Sequence, residues 1–481
     1  MNIKYGINIL GKILLILSLF MLTILPWIYH FHEEELLRPI LLSILIPLFL
    51  GSLIILLTKN CSHSFHLKEG YLIVSLTWLI MGIVGSLPFY LTNSIPSFVD
   101  SIFESISGFT TTGSSILTDV EAIPKSILYW RSLTHWIGGM GIIVLVVAIF
   151  PKLEVAGYQF LQLESSGILP EKIAPRASKV AKSLWIIYVL LTAILVVLLM
   201  LGEMNFYESL CHAFGTIATG GFSTKNASVG YYSIYTQYII MIFMLLSGIN
   251  FSLHYFLLNG NYKTIFKNTE LKAYLGIILI VGLILSFFLY FNNNISFEQS
   301  FRDSFFQVIS IITATGFATT DYLEWKEFAW ILLFSLMFVG ACVGSTGGGI
   351  KVIRHVVALK SISNYFTKLI HPNSVKTIKI NGNTIATERA NSIISFIIIY
   401  LLIFIIGSLI MSSMGLDFDT SIGSVITTMG GIGPGIGTVG PASNFAHIPA
   451  FGKLFLTFLM ILGRLEIFTL LIIFTPAFWK K

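Results

Sequence analysis

Four short runs of glycine and threonine recur along the chain, and these residue types can surround a cation with oxygen. The runs occupy 108–114, 216–223, 312–319 and 429–435. Glycine readily adopts positive φ, which lets successive carbonyl groups point toward one side of the chain. Rings of carbonyl oxygens can replace the hydration shell of a cation. The runs therefore predict a cation filter built from main-chain oxygen.

The four runs are spaced almost regularly. Alignment on Gly113, Gly220, Gly316 and Gly433 gives separations of 107, 96 and 117 residues, which indicates a fourfold internal repeat. A single Thr-Gly pair would indicate an ordinary turn at a membrane surface, so it is the repetition that favours a pore. The candidate filter residues are Thr111, Thr112 and Gly113 in repeat 1, Ala218, Thr219 and Gly220 in repeat 2, Ala314, Thr315 and Gly316 in repeat 3, and Gly431, Ile432 and Gly433 in repeat 4.

A short helical stretch precedes each run. These stretches lie at 97–109, 204–216, 299–312 and 418–428, and each is shorter than the roughly 20 residues that cross a membrane. Non-helical backbone at membrane depth is tolerated only where protein buries it or where it lines a watery cavity. We therefore predict four half-helices whose C-terminal, negative dipole ends point toward a pore.

A glycine-rich segment interrupts a long apolar span at 328–358. It contains Gly344, Ser345, Thr346, Gly347, Gly348 and Gly349, and consecutive glycines are poor helix formers. A phosphate-binding loop would need a Gly-Lys-Ser/Thr ending, which is missing here. A plain kink is a second possibility. We favour a flexible constriction beneath the filter that acts as a gate.

Arg464 lies within the last apolar span, and we expect it to be the only basic residue deep in one. A charge at that depth is costly unless it is paired or hydrated. Pairing with Glu466 is disfavoured, because positions i and i+2 do not face each other on a helix. We expect Arg464 to face the pore below the filter, to hydrogen-bond carbonyls of the glycine-rich segment and to hold the closed state.

The elements that must position these residues are membrane helices. Hydrophobic residues make up 55% of the chain, charged residues 11%, and the mean hydropathy is +0.85, whereas a soluble protein has about 25% charged residues. Three distant cysteines, Cys61, Cys211 and Cys342, favour neither a disulfide framework nor a zinc site. Ten spans are predicted, at 7–28, 37–57, 70–92, 127–150, 183–202, 232–258, 272–292, 328–358, 392–414 and 454–478.

The distribution of basic residues predicts the orientation. With the N-terminus in the cytoplasm, inner segments carry 21 Lys and Arg residues, outer segments carry 7, and Arg464 lies within a span. This bias obeys the positive-inside rule and predicts that both termini are cytoplasmic. Sixteen of the 23 acidic residues fall outside, so the outer net charge is 7 − 16 = −9. That excess indicates either simple avoidance of the inner face or a vestibule that concentrates cations.

The predicted fold class is an all-α polytopic membrane protein, with about ten transmembrane helices and four re-entrant half-helices. Four pseudo-symmetric helix–pore loop–helix repeats surround one central pore. We predict an extra N-terminal helix pair at 1–69, repeat 1 at 70–182, repeat 2 at 183–270, repeat 3 with the gating segment at 271–391, and repeat 4 at 392–481.

Several segments resemble the superfamily of potassium transporters that includes TrkH and KtrB, and they favour the TrkH branch. The resemblance covers essentially the whole chain. A departure lies in repeat 4, where Gly430-Gly431 replaces more polar residues before Gly-Pro-Gly. The segments are 135–142, 217–224, 344–354 and 463–469, in addition to the four filter runs.

This resemblance implies a potassium uptake subunit of the bacterial inner membrane, with K⁺ bound in the filter and no organic cofactor. It implies a homodimer in which each protomer has its own pore. It also implies a cytosolic regulatory ring of the TrkA type, which binds NAD(H) or adenine nucleotides, and no nucleic-acid partner. The gating roles of the segment 344–349 and of Arg464 agree with those in similar transporters.

Two other functions remain open at this stage. A Na⁺-coupled or Na⁺-permeable transporter similar to KtrB is one, although Na⁺-selective relatives typically have serine where this chain has Gly113. A membrane-embedded enzyme is the other, but it would need clustered intramembrane His, Asp or Glu, so we expect no enzymatic activity.

The remaining polar features are given structural roles. We expect His135 and Trp136 to pack at a helix start, and Cys211 and His212 to pack in the core. The cytoplasmic stretch 359–391 is either a solvated loop or a docking surface for the regulatory ring.

Overall fold

The computed structural model describes residues 3–59, 67–141, 177–292, 295–374 and 376–480. Almost all regular structure in these ranges is helical, as predicted. Cys61, the inner part of the span 127–150 and the basic residues Lys152, Lys172 and Arg176 lie outside the described residues.

An N-terminal helix pair packs against the rest of the protein. It comprises Ile3–Leu22, continued by Leu25–His30, and Leu37–Leu57. Gly11 and Gly51 face each other across the pair, and a Cβ on either would press on the main-chain oxygen of the other. Small residues allow such close approach of helix backbones in membranes.

Four helix–pore helix–helix units follow the N-terminal pair in chain order. We name their short central helices pore helices 1 to 4: Phe98–Phe109, Phe206–Ile217, Phe297–Ile312 and Phe418–Gly430. The preceding helices are Leu67–Gly85 with Leu87–Leu91, Ala177–Met200, Thr269–Asn292 and Thr387–Ser413. The following helices are Lys125–Gly139, Ile234–Ser247 with Phe251–Leu258, Glu327–Leu336 with Val352–Ile370, and Ala450–Arg464 with Ile467–Leu471 and Pro476–Trp479.

Each pore helix begins with a side-chain N-cap. A side chain at the N-cap accepts a hydrogen bond from the N–H three residues further along. Such caps satisfy one of the free N–H groups of a helix start. The caps are Ser97, Asn205, Ser296 and Asp417.

Several predicted spans are bent or broken. By length and composition, six described helices can cross a membrane, and two bent pairs raise the number to eight. The two pairs bend by 97° after Ser247 and by 115° after Arg464. The span predicted at 328–358 is helical only at its two ends, because 337–351 forms a loop. The predicted break there is confirmed, whereas the bend at Arg464 was not foreseen.

A small hairpin precedes the last repeat. Strands Lys379–Ile380 and Asn383–Thr384 pair antiparallel, with Lys379 opposite Thr384. Asn381 and Gly382 both have positive φ in the turn between them, which is the arrangement that Asn-Gly favours. The hairpin is bonded to the start of Thr269–Asn292 through Asn381 and Thr269.

The proposed boundaries of the four repeats stay a prediction.

Candidate functional site

The end of each pore helix has the same main-chain conformation. One residue takes the left-handed conformation, and the next N–H bonds to a carbonyl five residues earlier, at 2.8–2.9 Å. This is the Schellman pattern of helix termination. Three of the four left-handed residues are not glycine, which costs roughly 1–2 kcal/mol each. The left-handed residues are Thr111, Thr219, Ala314 and Gly431, and the donors after them are Thr112, Gly220, Thr315 and Ile432.

A second left-handed residue follows two positions later, and in every repeat it is glycine. These are Gly113, Gly221, Gly316 and Gly433, with φ between 79° and 93°. The structure therefore corrects the alignment in repeat 2, where Gly221 and not Gly220 is the counterpart of Gly113. The separations become 108, 95 and 117 residues (113 to 221, 221 to 316, 316 to 433).

The four left-handed glycines form a closed ring. A Cβ on Gly113 would collide with the carbonyl oxygen of Gly220, one on Gly221 with that of Thr315, and one on Gly316 with that of Ile432. A Cβ on Gly433 would lie 3.0 Å from the oxygen of Thr112, which closes the ring. Each repeat thus touches the next in chain order around one axis.

The four glycines also line one cavity of about 170 Å³ beyond the ring. Arg131 and Lys225 contribute to its lining, but no carboxylate among the described residues does. Asp119 adjoins the lining residue Asn226, whose amide donates a 2.8 Å hydrogen bond to it, and this bond lowers the pKa of Asp119. The excess of outer acids therefore does not form the wall of this cavity.

In three repeats, the polar residue nine positions before the left-handed glycine hydrogen-bonds to the chain just after that glycine. Glu104 accepts hydrogen bonds from Ser115 and Ile116, each at 2.9 Å. His212 contacts Ser223 Oγ at 3.0 Å, and Gln307 donates to the carbonyl of Thr320 at 3.3 Å.

Repeat 4 is held differently. Its equivalent residue, Ser424, bonds within its own helix, and the hydroxyl of Tyr322 donates instead to the carbonyl of Gly435 at 2.6 Å. Sequence analysis missed this set of supporting contacts, although alignment of the repeats on Gly221 places polar residues at one common position.

The glycine-rich segment lies directly beneath the filter. The Thr219 hydroxyl donates to Thr346 Oγ1 at 3.1 Å, and Thr346 Oγ1 lies 3.2 Å from the carbonyl of Ile217. A Cβ on Gly347 would lie 2.6 Å from the oxygen of Thr313, and one on Gly348 would collide with that of Gly430. The segment therefore abuts the ends of pore helices 2, 3 and 4.

Arg464 reaches both the segment and the end of pore helix 1. Its guanidinium donates to the carbonyl of Thr346 at 2.7 Å and to Thr111 Oγ1 at 3.2 Å. It also donates to the carbonyls of Gly138 and Gly139, at 2.6 and 2.7 Å. The expected hydrogen bond between Arg464 and the segment is thus present, at a sharp bend and not inside a straight span.

Other charged residues are buried near this segment. Lys351 donates to the carbonyl of Gly347, and Arg354 pairs with Glu466. Arg354 also lies 3.7 Å from the centre of the Phe396 ring. Together with Arg131, these residues show that the described part of the chain buries basic side chains other than Arg464. That Arg464 is the only one deep in a membrane span stays a prediction. The close partner of Glu466 is therefore Arg354, which lies 112 positions earlier in the chain.

Glu270 fixes the two ends of the glycine-rich segment. One carboxylate oxygen accepts from the N–H of Val343 at 2.8 Å and from that of Ile353 at 3.2 Å. Both ends are therefore tied to the start of the helix Thr269–Asn292, and the glycines lie between the two ties.

The fold and this site define a polytopic helical membrane protein in which four re-entrant loops enclose a single axis. The family model for TrkH, described as a cation transport protein, matches residues 38–481. The chain belongs to that family, which confirms the resemblance drawn from its motifs.

Individual relatives agree with this assignment. The chain is 40% identical to the Trk system potassium uptake protein TrkH of Salmonella typhimurium over 441 residues, 91% of each chain. It is 36% identical to the protein of the same name from Halomonas elongata over the full length of both chains. The crystal structure of the potassium transporter TrkH from Vibrio parahaemolyticus matches with a TM-score of 0.91 at 34% identity, covering 100% of both chains.

Proposed function

We propose that this protein takes up potassium across the bacterial inner membrane through the central ring of carbonyl groups. The observation that carries the proposal is the closed ring, in which four left-handed glycines each adjoin a carbonyl of the next repeat. Carbonyl rings of this kind can replace the water around a cation. Relatives that span 91–100% of this chain are named as potassium uptake proteins.

The proposed filter keeps most of the residues expected from the sequence. Repeat 2 shifts by one position, so that Thr219, Gly220 and Gly221 replace Ala218, Thr219 and Gly220. The other proposed ligands of K⁺ are the carbonyls of Thr111, Thr112, Gly113, Ala314, Thr315, Gly316, Gly431, Ile432 and Gly433.

The proposed gate is the segment 344–349 with Arg464. It lies on the axis below the ring, and the guanidinium charge there opposes a cation. The hydrogen bonds of Arg464 to Thr346, Gly138 and Gly139 favour the closed arrangement. Opening then requires only that a short loop moves, because few main-chain bonds hold it between its two ties to Glu270.

The proposed assembly follows the family. A homodimer with one pore in each protomer, and a cytosolic TrkA-type ring that binds adenine nucleotides or NAD(H), would control the gate. The excess of basic residues in the inner segments supports an orientation with both termini in the cytoplasm.

Flux measurements in reconstituted vesicles test the proposal. We expect K⁺ and Rb⁺ uptake to exceed Na⁺ uptake, and we expect addition of the regulatory ring with its nucleotide to change the rate. Vesicles without protein give the background. Equal K⁺ and Na⁺ permeability would instead favour the Na⁺-permeable alternative and would contradict a potassium filter.

A further inference from the structure

A buried ion pair lies behind the filter at the junction of repeats 1 and 2. Glu104 of pore helix 1 and Arg131 of the next helix are 0% and 3% exposed. The Arg131 Nε donates to a carboxylate oxygen of Glu104 at 2.7 Å. Burying two charges is costly unless further hydrogen bonds satisfy them, and here the further partners all belong to the chain that leaves the filter.

Each member of the pair bonds to a different wall of the filter, where a wall is the set of filter residues of one repeat with the chain just after them. The Glu104 carboxylate accepts from Ser115 Oγ and from the Ile116 N–H, just after the filter of repeat 1. The Arg131 guanidinium donates to the carbonyl of Ser223 at 3.1 Å, just after the filter of repeat 2. The ion pair therefore fixes the distance between the wall of repeat 1 and the wall of repeat 2.

Phe222 is enclosed on both faces by this network. The Arg131 guanidinium lies 3.5 Å from the centre of its ring, within the range of a cation–π contact. The His135 ring stacks on it with centroids 4.0 Å apart. Phe222 directly follows the left-handed Gly221, so its position determines where the Gly221 carbonyl points.

His135 completes the network as a neutral ring. Its Nδ1 lies 2.7 Å from the carbonyl of Gly108, which can only accept, so Nδ1 carries the proton. Its Nε2 accepts from the Phe222 N–H at 3.2 Å and must be unprotonated. A Cβ on Gly220 would collide with this ring, which explains why repeat 2 has two consecutive glycines.

The network is specific to one junction. The positions equivalent to Glu104 are His212, Gln307 and Ser424, none of which is a carboxylate. We propose that Glu104 and Arg131 are positioning residues that set the separation of the repeat 1 and repeat 2 carbonyls, and thereby the preference for K⁺ over Na⁺. This inference rests on the proposed function, because it assumes that the ring discriminates between these ions.

The test is the K⁺/Na⁺ permeability ratio, from reversal potentials in vesicles, of Glu104→Gln and of Arg131→Gln. Each variant removes one charge of the pair and leaves the other buried without its counter-charge, so we expect the ratio to fall about tenfold while conduction persists. Glu298→Gln is the matched control, since the contacts of Glu298 are with Arg302 and Tyr238, near the start of pore helix 3. We expect it to keep the wild-type ratio.

Two milder variants keep the test decisive if a charge change prevents folding. Ser115→Ala removes one donor to Glu104 and leaves the ion pair intact, and Phe222→Leu removes the ring between Arg131 and His135. We expect both to fold and to lower the ratio severalfold. Wild-type ratios in conducting Ser115→Ala and Phe222→Leu proteins would overturn the inference, whereas a wild-type protein that does not discriminate K⁺ from Na⁺ would overturn the proposed function itself.

Discussion

At the scale of the residue, the filter depends on glycine at four positions for two separate reasons. The main chain has φ values of 79–93° at these positions, which only glycine adopts without cost. A side chain would also displace a carbonyl of the neighbouring repeat. The first effect strains one loop, and the second disturbs the ring between two loops.

Gly113→Ser tests this distinction. We expect the K⁺/Na⁺ permeability ratio to fall about tenfold or more, which corresponds to about 1.4 kcal/mol of lost discrimination. The reason is that the new side chain pushes on the carbonyl of Gly220 and adds a hydroxyl near the smaller ion. Reversal potentials in mixed K⁺ and Na⁺ give the ratio, and we expect Thr112→Ser to have a smaller effect.

Gly415→Ser is the control for backbone strain alone. Gly415 has a φ of 88°, but a Cβ there would meet nothing within 4 Å. We expect this variant to lose roughly 1–2 kcal/mol of stability and to keep its selectivity. An unchanged K⁺/Na⁺ permeability ratio in folded, conducting Gly113→Ser protein would contradict the filter assignment.

At the scale of the element, the most informative feature is the loop that replaces the middle of a helix at 337–351. Glu270 anchors the loop at Val343 and, just beyond its end, at Ile353. Between these two points the loop touches the pore helix ends at its glycines and at Thr346. Its centre can therefore move without unfolding the helices on either side.

Arg464→Ala should raise partner-free Rb⁺ uptake in vesicles. The change removes donors to Thr346, Gly138 and Gly139 and removes a positive charge from below the filter. If these contacts favour the closed state by about 1–3 kcal/mol, opening should increase roughly tenfold to a hundredfold. Arg389→Ala, which removes an exposed arginine, should leave uptake unchanged.

Shortening the run from Gly344 to Gly349 should also raise uptake, because it removes the obstacle that Arg464 holds. The double variant, combined with Arg464→Ala, should be less than additive, since both changes act on the same barrier. Wild-type uptake in both single variants would contradict the gate. Full additivity would assign Arg464 and the loop to separate barriers.

At the scale of the whole molecule, the proposed orientation can be tested by labelling. Glu34 and Lys368 are both exposed, in the loop after the first helix and near the end of Val352–Ile370. In a background with the natural cysteines replaced by alanine, Glu34→Cys should react with an impermeant thiol reagent only from outside. Lys368→Cys should react only from inside. Labelling of both from the same side would refute the orientation.

Much of the architecture could be predicted from the sequence because it depends on local signals. Pore helix 2 was expected at 204–216 and spans Phe206–Ile217, since a short apolar stretch beside a glycine run has few other solutions in a membrane. The register of repeat 2 could not be predicted, because Gly220 and Gly221 look alike in sequence. The contact of Gly220 with His135, 85 residues away in the chain (220 − 135), decides between them.

Long-range charge pairing was also beyond the reach of local patterns. Arg131 is buried against Glu104, 27 positions earlier in the chain. Arg354 pairs with Glu466, 112 positions later. Pairings of this kind depend on how the helices are arranged, which hydropathy does not encode.

All four glycines of the ring belong to one polypeptide, and this affects how the filter can evolve. In a channel assembled from four identical subunits, one codon change alters every wall at once. Here a codon change at Gly221 would change the residue in one wall and press on the adjoining carbonyl of Thr315, while the residues of the other three walls stay the same. The walls have already diverged into Thr-Thr-Gly, Thr-Gly-Gly, Ala-Thr-Gly and Gly-Ile-Gly. Ion preference in such a protein can therefore be adjusted by changing the residues of one wall at a time.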